Sequence, residues 1–143
     1  MFRRRDPKTD VIRRLPAFAD QSTRRVADAS KVLDLVTVEA GHTLLTQGDL
    51  GHEFYLVVEG RARVERDGQV IAHIGDGAVI GEMALVGAGR RNATVVAETE
   101  MVLATSTRPY FAGLVAEFPG FGRQVRQASE VRQASEARTA VPA

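Results

Sequence analysis

Short stretches of alternating apolar and polar residues, separated by glycine turns, dominate the middle of this 143-residue chain. The predicted strands cover residues 32–40, 42–46, 53–58, 62–66, 70–74, 93–97 and 101–105. A period of two residues is typical of a strand with one buried face. Strands this short and this closely spaced predict a sandwich or barrel, because a parallel α/β sheet would need a helix between successive strands.

Helical spacing returns at both ends of the chain. Apolar residues recur at near-helical intervals over residues 11–18, and Ser22 can cap a second short helix. Near the other end, Pro109 suits a helix start and precedes an apolar face. We expect this helix to be broken at Pro119-Gly120 and a final helix to cover residues 121–138. The predicted fold class is therefore mainly β with flanking helices: N-terminal helices and two C-terminal helices.

Composition limits the possible functions. A length of 143 residues suits one domain, and the hydrophobic share of 44% and charged share of 26% are ordinary for a soluble globular protein. No apolar run reaches the length of a membrane span, and the absence of cysteine excludes disulfides and thiolate metal sites. The net charge of +1 gives no global reason to expect nucleic acid as a partner. These properties favour a cytoplasmic protein.

The first 14 residues form a strongly basic segment that includes Arg3, Arg4 and Arg5. They lack the apolar stretch of a signal peptide. We interpret residues 1–14 as a solvated tail that runs into a helix. The alternative is a contact for an acidic partner or an anionic membrane surface.

The segment from Gly81 to Val95 has the clearest binding chemistry. Gly81 leaves room for close backbone approach, and the free amides of a short helix beginning near Glu82 would form an anion site. Arg91 can add a bidentate contact to the same phosphate. Glu82 carries acceptors only, so a ribose hydroxyl is its natural partner. The set predicts a small ligand that carries both a phosphate and a sugar hydroxyl.

The runs Gly81-Glu82-Met83-Ala84-Leu85 and Arg91-Asn92-Ala93-Thr94-Val95 resemble the phosphate-binding cassette of the cyclic nucleotide-binding domain family. The spacing from Gly81 to Arg91 matches the version in protein kinase regulatory subunits. Further similarity at residues 15–18, 47–49 and 54–60 extends the resemblance over residues 15–119. It implies a jelly-roll β-roll and a receptor module that is not an enzyme. It also implies three segments: the basic residues 1–14, a binding-domain core at 15–119, and a C-terminal lid helix with a frayed tail at 120–143.

The same resemblance implies ligand-binding roles for Gly81, Glu82, Met83, Ala84, Arg91, Asn92 and Ala93. Arg91 would pair with the cyclic phosphate, supported by the amides of Ala84 and Ala93. Glu82 would accept a hydrogen bond from the ribose 2′-hydroxyl, and Gly81 and Met83 would shape that end. The neighbouring Arg90 is expected to face solvent.

Asn92 leaves the choice of nucleotide open. Family members selective for cyclic AMP often have Ala or Ser at this position, and those selective for cyclic GMP often have Thr. We expect cyclic AMP because it is the commoner ligand, with cyclic GMP as the alternative.

The resemblance further implies that the last helix covers the base when the ligand binds, with Val131, Arg126 and Arg132 as candidates, whereas Phe121 can serve as core. The output would be an unknown protein effector. A second hypothesis is that the chain keeps the fold without the ligand and acts as a protein-interaction module.

The three histidines lack the spacing of metal ligands, and no catalytic group can be argued from spacing, so neither a cofactor nor a metal is expected. Few residues follow Pro119, which argues against an appended helix-turn-helix.

Overall fold

Two four-stranded antiparallel sheets make up the centre of the computed structural model, which describes residues 7–82, residue 85 and residues 89–128. One sheet has the order β1-β8-β3-β6 and the other β2-β7-β4-β5. The strands are β1 Asp34–Val38, β2 Thr43–Leu45, β3 Glu53–Glu59, β4 Ala62–Arg66, β5 Gln69–Ile74, β6 Val79–Ile80, β7 Thr94–Ala97 and β8 Met101–Thr107. The expected mainly β fold with flanking helices is confirmed.

Helices lie before and after the strands. The described helices are α1 Pro7–Ile12, α2 Thr23–Ser30, α3 Arg108–Glu117 and α4 at residues 119–128, with a short 3-10 helix at Pro16–Phe18. Ser22 caps α2 as predicted, because its side chain accepts a hydrogen bond from the Arg25 amide at 3.2 Å. Within the described residues, no helix combines the length and apolar composition needed to cross a membrane.

Two features differ from the sequence prediction: one strand and one helix boundary. Strand β6 was not expected, because its two residues are both buried and show no alternation. The break between the last two helices falls at Phe118, whose φ of −119° and ψ of 94° are extended, and α4 begins at Pro119. Proline suits the first turn of a helix, so Pro119 starts α4 and does not separate it from α3. Residues 129–138, the remainder of the predicted final helix, lie outside the described residues.

A cluster of five phenylalanines joins the helices to the sheet. Phe54 of β3 lies 5.2 Å from Phe111 of α3 and 5.5 Å from Phe121 of α4, measured between ring centroids. Phe18 contacts Phe118 at 5.1 Å in an edge-on arrangement. Edge-on and offset pairs at such distances are favourable beyond the area they bury. The cluster therefore fixes where α3 and α4 leave the β-roll, and it makes Phe121 a core residue, as expected.

The substitution Phe121→Ala should lower the free energy of unfolding by about 3–5 kcal/mol, since it leaves a cavity between α4 and β3. Tyr110→Ala is the matched control: this ring on α3 is 50% exposed, and its loss should cost under about 1 kcal/mol. Urea unfolding of both variants measures the difference. Equal losses would contradict the placement of Phe121 in the core.

Candidate functional site

Backbone pairing fixes the position of Arg91. Residues 48–51 run antiparallel to residues 89–91: the Arg91 amide donates to the Asp49 carbonyl at 2.7 Å, and the Gly48 amide donates to the Arg91 carbonyl at 2.8 Å. The neighbouring Arg90 is exposed and donates through Nη1 to the Gly48 carbonyl at 2.8 Å. Successive side chains of an extended segment point to opposite sides, so Arg91 is buried where Arg90 faces solvent.

The Arg91 guanidinium lies between two backbone carbonyls. Its Nη1 donates to the Gly81 carbonyl at 2.9 Å and its Nη2 donates to the Glu53 carbonyl at 2.8 Å, while the residue is only 6% exposed. A guanidinium carries five N–H donors, and these two bonds use two of them. Arg91 is therefore held in one orientation and still has donors for an anion.

Gly81 is required by this arrangement. Its φ is +87°, in the region that side-chain-bearing residues rarely adopt. A Cβ at this position would also lie 2.6 Å from Arg91 Nη1 and 3.2 Å from the Glu53 carbonyl oxygen. The glycine thus permits both the turn and the close approach of the guanidinium.

Burial and the neighbouring carboxylates shift the pKa of Arg91 in opposite directions. Burial lowers the pKa of its guanidinium, whereas the carboxylates of Glu53 and Glu82 favour the charged form. Glu82 is fully buried. Tyr55 donates its hydroxyl to Glu53 Oε1 at 3.1 Å, and burial together with that carboxylate raises the pKa of Tyr55 to about 12. The site therefore holds a buried cation within the electrostatic influence of a buried carboxylate.

A cavity of about 430 Å³ borders Arg91. This volume lies in the range of roughly 300–1,000 Å³ that is typical of small-molecule sites. Most of its lining is apolar, with Leu45, Val64, Ile71, Ile74, Ile80 and Val95 among the contributors. The helix α4 closes part of it with Gln124, Gln127 and Ala128. An apolar chamber with a few polar groups suits a ligand that has a flat ring system and an anionic end.

Four of the residues named from the sequence line this cavity together: Gly81, Arg91, Asn92 and Ala93. Glu82 is the buried residue that follows Gly81, although it is not itself among the lining residues. Of the candidates for covering the base, Arg126 is exposed and does not line the cavity. The candidates Met83, Ala84, Val131 and Arg132 lie outside the described residues.

Three polar side chains that line the cavity were not expected from the sequence. Arg66 ends β4, and its Nε donates to the Asn92 carbonyl at 3.0 Å. Gln124 and Gln127 come from α4. Their spacing of three residues, with Ala128 next, places them on one helix face, which was the available signal. Across the described residues, no cluster of three or more His, Cys, Asp or Glu side chains could hold a metal ion.

Gly81→Ala should destabilise the protein more than the substitution Gly41→Ala. Both glycines have φ near +90°, but a Cβ at Gly41 meets nothing within 4 Å, whereas one at Gly81 meets Arg91. Gly41→Ala should cost about 1 kcal/mol for its backbone conformation, and Gly81→Ala about 1–2 kcal/mol more. Denaturant unfolding measures both. Equal losses would show that Arg91 does not need the space at Gly81.

Comparison with known proteins assigns the family. A family model for the cyclic nucleotide-binding domain matches residues 35–118, which is more than half of the chain. The cAMP-dependent protein kinase regulatory subunit of Schizosaccharomyces pombe is 40% identical over 93 residues, covering 64% of this chain. The chain spans only 22% of that relative's length.

Solved structures show the same fold. The cAMP-bound protein PfPKA-R has a TM-score of 0.77 at 20% identity, covering 92% of this chain and 46% of that one. The catabolite activator protein of Thermus thermophilus has a TM-score of 0.69 at 29% identity, with 87% and 60% covered. The chain belongs to the cyclic nucleotide-binding domain family.

Proposed function

We propose that this chain is a cyclic nucleotide receptor, with cyclic AMP as its ligand, and that it regulates a protein effector. The observation that carries the proposal is the buried Arg91, which two carbonyls hold at the border of a mostly apolar cavity and whose charge the buried carboxylate of Glu82 favours. We name cyclic AMP and not cyclic GMP as the ligand because the relative from Schizosaccharomyces pombe is named for its dependence on cAMP. That name also makes a protein kinase the first effector to test.

Each end of the ligand has a chemical partner in this proposal. The remaining donors of Arg91 bind the cyclic phosphate, since a guanidinium matches two phosphate oxygens at once. Glu82 accepts a hydrogen bond from the ribose 2′-hydroxyl, and the amides of Ala84 and Ala93 add to the phosphate contact, with Met83 at the ribose end. The apolar lining takes the purine.

Arg91→Ala should weaken cyclic AMP binding by ~30-fold to several thousand-fold, because it removes a charge from a largely buried phosphate contact. Arg90→Ala is the matched control, since the adjacent arginine is exposed and bonds the Gly48 carbonyl instead. Its affinity should stay within about threefold of the unmodified chain. Isothermal titration with cyclic AMP and cyclic GMP measures both variants.

Loss of binding in Arg90→Ala but not in Arg91→Ala would reverse the assignment of the two arginines. No heat and no thermal shift with either nucleotide would reject the receptor. A protein-interaction module without a ligand would then remain, and Arg91→Ala would leave its partner binding intact.

Nucleotide binding would also draw α4 over the cavity. Helix α4 supplies part of the cavity lining, and Phe118, between α3 and α4, has an extended backbone on which a rotation can centre. The closed form gains population only if the ligand binds it more tightly than the open form. Helix α3 would follow because the phenylalanine cluster connects it to α4.

Saturating cyclic AMP should therefore slow amide hydrogen exchange across residues 108–128 by at least about threefold, beyond the slowing seen in β1. Strand β1 serves as the internal reference because it contributes no residue to the cavity lining. Identical protection of residues 108–128 with and without the nucleotide would show that binding does not close the helices.

A further inference from the structure

The side chain of Glu53 points to the side of the sheet β1-β8-β3-β6 on which the ligand cavity lies. Successive residues of a strand face opposite sides of their sheet. Phe54 packs into the core with the helices, whereas Tyr55 packs against the apolar cluster that contains Ile80, a residue of the cavity lining. Glu53 lies two positions before Tyr55 on β3, so its side chain shares the cavity side.

A hydrogen bond from Tyr55 fixes the Glu53 carboxylate on that side. The Tyr55 hydroxyl donates to Glu53 Oε1 at 3.1 Å. Burial and the neighbouring carboxylate raise the pKa of Tyr55 to about 12, so the hydroxyl keeps its proton at neutral pH and remains a donor. The backbone carbonyl of Glu53 accepts from Arg91 Nη2 at 2.8 Å. Glu53 therefore both holds the guanidinium through its backbone and adds a negative charge near it.

Among the charged groups that act on Arg91, Glu53 has the largest favourable effect. Burial is the main cause of the lowered pKa of Arg91; Glu53 and, less strongly, Glu82 oppose it, whereas the cation of Arg108 adds to it. Glu53 is not one of the residues that line the cavity, so it acts on a ligand through its charge and not by contact. A phosphate on Arg91 would lie within the field of this carboxylate, and like charges repel.

We propose that the Glu53 carboxylate makes the site selective for phosphates of low charge, so that it accepts a cyclic phosphodiester and disfavours a phosphomonoester. The inference rests on the proposed function and deepens it. A 3′,5′-cyclic phosphate carries a single negative charge, whereas a monoester carries about −1.5 to −2 at pH 7. Repulsion from a fixed carboxylate grows in proportion to that charge. A repulsive element of this kind gives specificity by weakening the wrong ligand more than the right one.

The substitution Glu53→Gln tests the inference on the full chain. Glutamine keeps the backbone carbonyl on Arg91 and an acceptor oxygen for the Tyr55 hydroxyl, and it removes the charge. Cyclic AMP should bind about threefold more tightly, the magnitude typical of one partly exposed charge pair. Adenosine 5′-monophosphate should gain about tenfold, because doubling the charge squares the factor. Displacement of a fluorescent cyclic AMP analogue at about pH 8, where the monoester is fully ionised, gives both dissociation constants.

Glu59→Gln is the matched control, since it makes the same change in net charge at the exposed far end of the same strand. The two positions are about 20 Å apart along β3, beyond the Debye length of roughly 8 Å at physiological salt. The ratio of the two affinities should therefore change by less than about 1.5-fold.

Tyr55→Phe tests the positioning of the carboxylate. Without the hydroxyl, the Glu53 side chain is free to turn toward water, so the monophosphate should gain more affinity than cyclic AMP. In the Glu53→Gln background the same change should leave the ratio of the two affinities unaltered, because no charge remains to be positioned. A purely structural role of Tyr55 would move both affinities alike in both backgrounds.

Several outcomes would overturn the inference. An affinity for cyclic AMP that stays the same or falls in Glu53→Gln does so, and this readout does not depend on binding of the monophosphate. An unaltered ratio, an equal change in Glu59→Gln, or a monophosphate that displaces the analogue from neither chain also does so. If Glu53→Gln does not fold, Tyr55→Phe alone decides, and the absence of a preferential gain by the monophosphate overturns the inference. In each of these cases cyclic AMP still binds the unmodified chain and the receptor function stands; failure of cyclic AMP to bind that chain rejects both.

Discussion

A buried guanidinium joins the two sheets of this protein. Glu53 begins β3 and Gly81 follows β6, both in one sheet, whereas Arg91 leads toward β7 in the other. The hydrogen bonds from Arg91 to the carbonyls of Glu53 and Gly81 cross between them. A planar group with donors in a fixed fork can reach two carbonyls in this way, and a lysine could not do so with the same precision. Gly81 leaves the space that this side chain occupies. The pairing of residues 48–51 with residues 89–91 fixes the backbone from which the side chain projects.

The burial of this charge points to a ligand more than to stability. Removing a cation and a carboxylate from water is costly, and a well-packed apolar pair of similar volume is often as stable or more so. Arg91 and Glu82 are both almost completely shielded from solvent. Burial also opposes the charge of Arg91, as the lowered pKa shows. Under the proposed function, a cyclic phosphate binds the donors of Arg91 that the Gly81 and Glu53 carbonyls do not use, and Glu82 accepts from a ribose hydroxyl.

Patterns of side chains can be predicted from the sequence, whereas contacts made by the backbone cannot. Alternation of apolar and polar residues predicts seven of the strands, and it fails for β6, whose two residues are both buried. The spacing from Gly81 to Arg91 brings these residues to one cavity because they are close in the chain. The Glu53 carbonyl leaves no trace in a sequence, since every residue has one. The bond from Gln124 to Gly77 joins residues 47 positions apart, and it depends on how α4 packs, which local propensity does not determine.

Consecutive residues of β3 connect the site with the helices that would respond to it. Glu53 places its carbonyl on Arg91, while the next residue, Phe54, is fully buried against Phe111 and Phe121. The carbonyl of Phe54 accepts a hydrogen bond from Thr105 Oγ1 at 2.9 Å, which ties this strand end to β8. A shift of Arg91 toward a bound phosphate would therefore act on a strand end that α3 and α4 also contact. A packed interior of this kind passes displacement from neighbour to neighbour because it has little room to absorb it. Under the proposed function, the start of β3 therefore connects the phosphate contact of Arg91 with the helices.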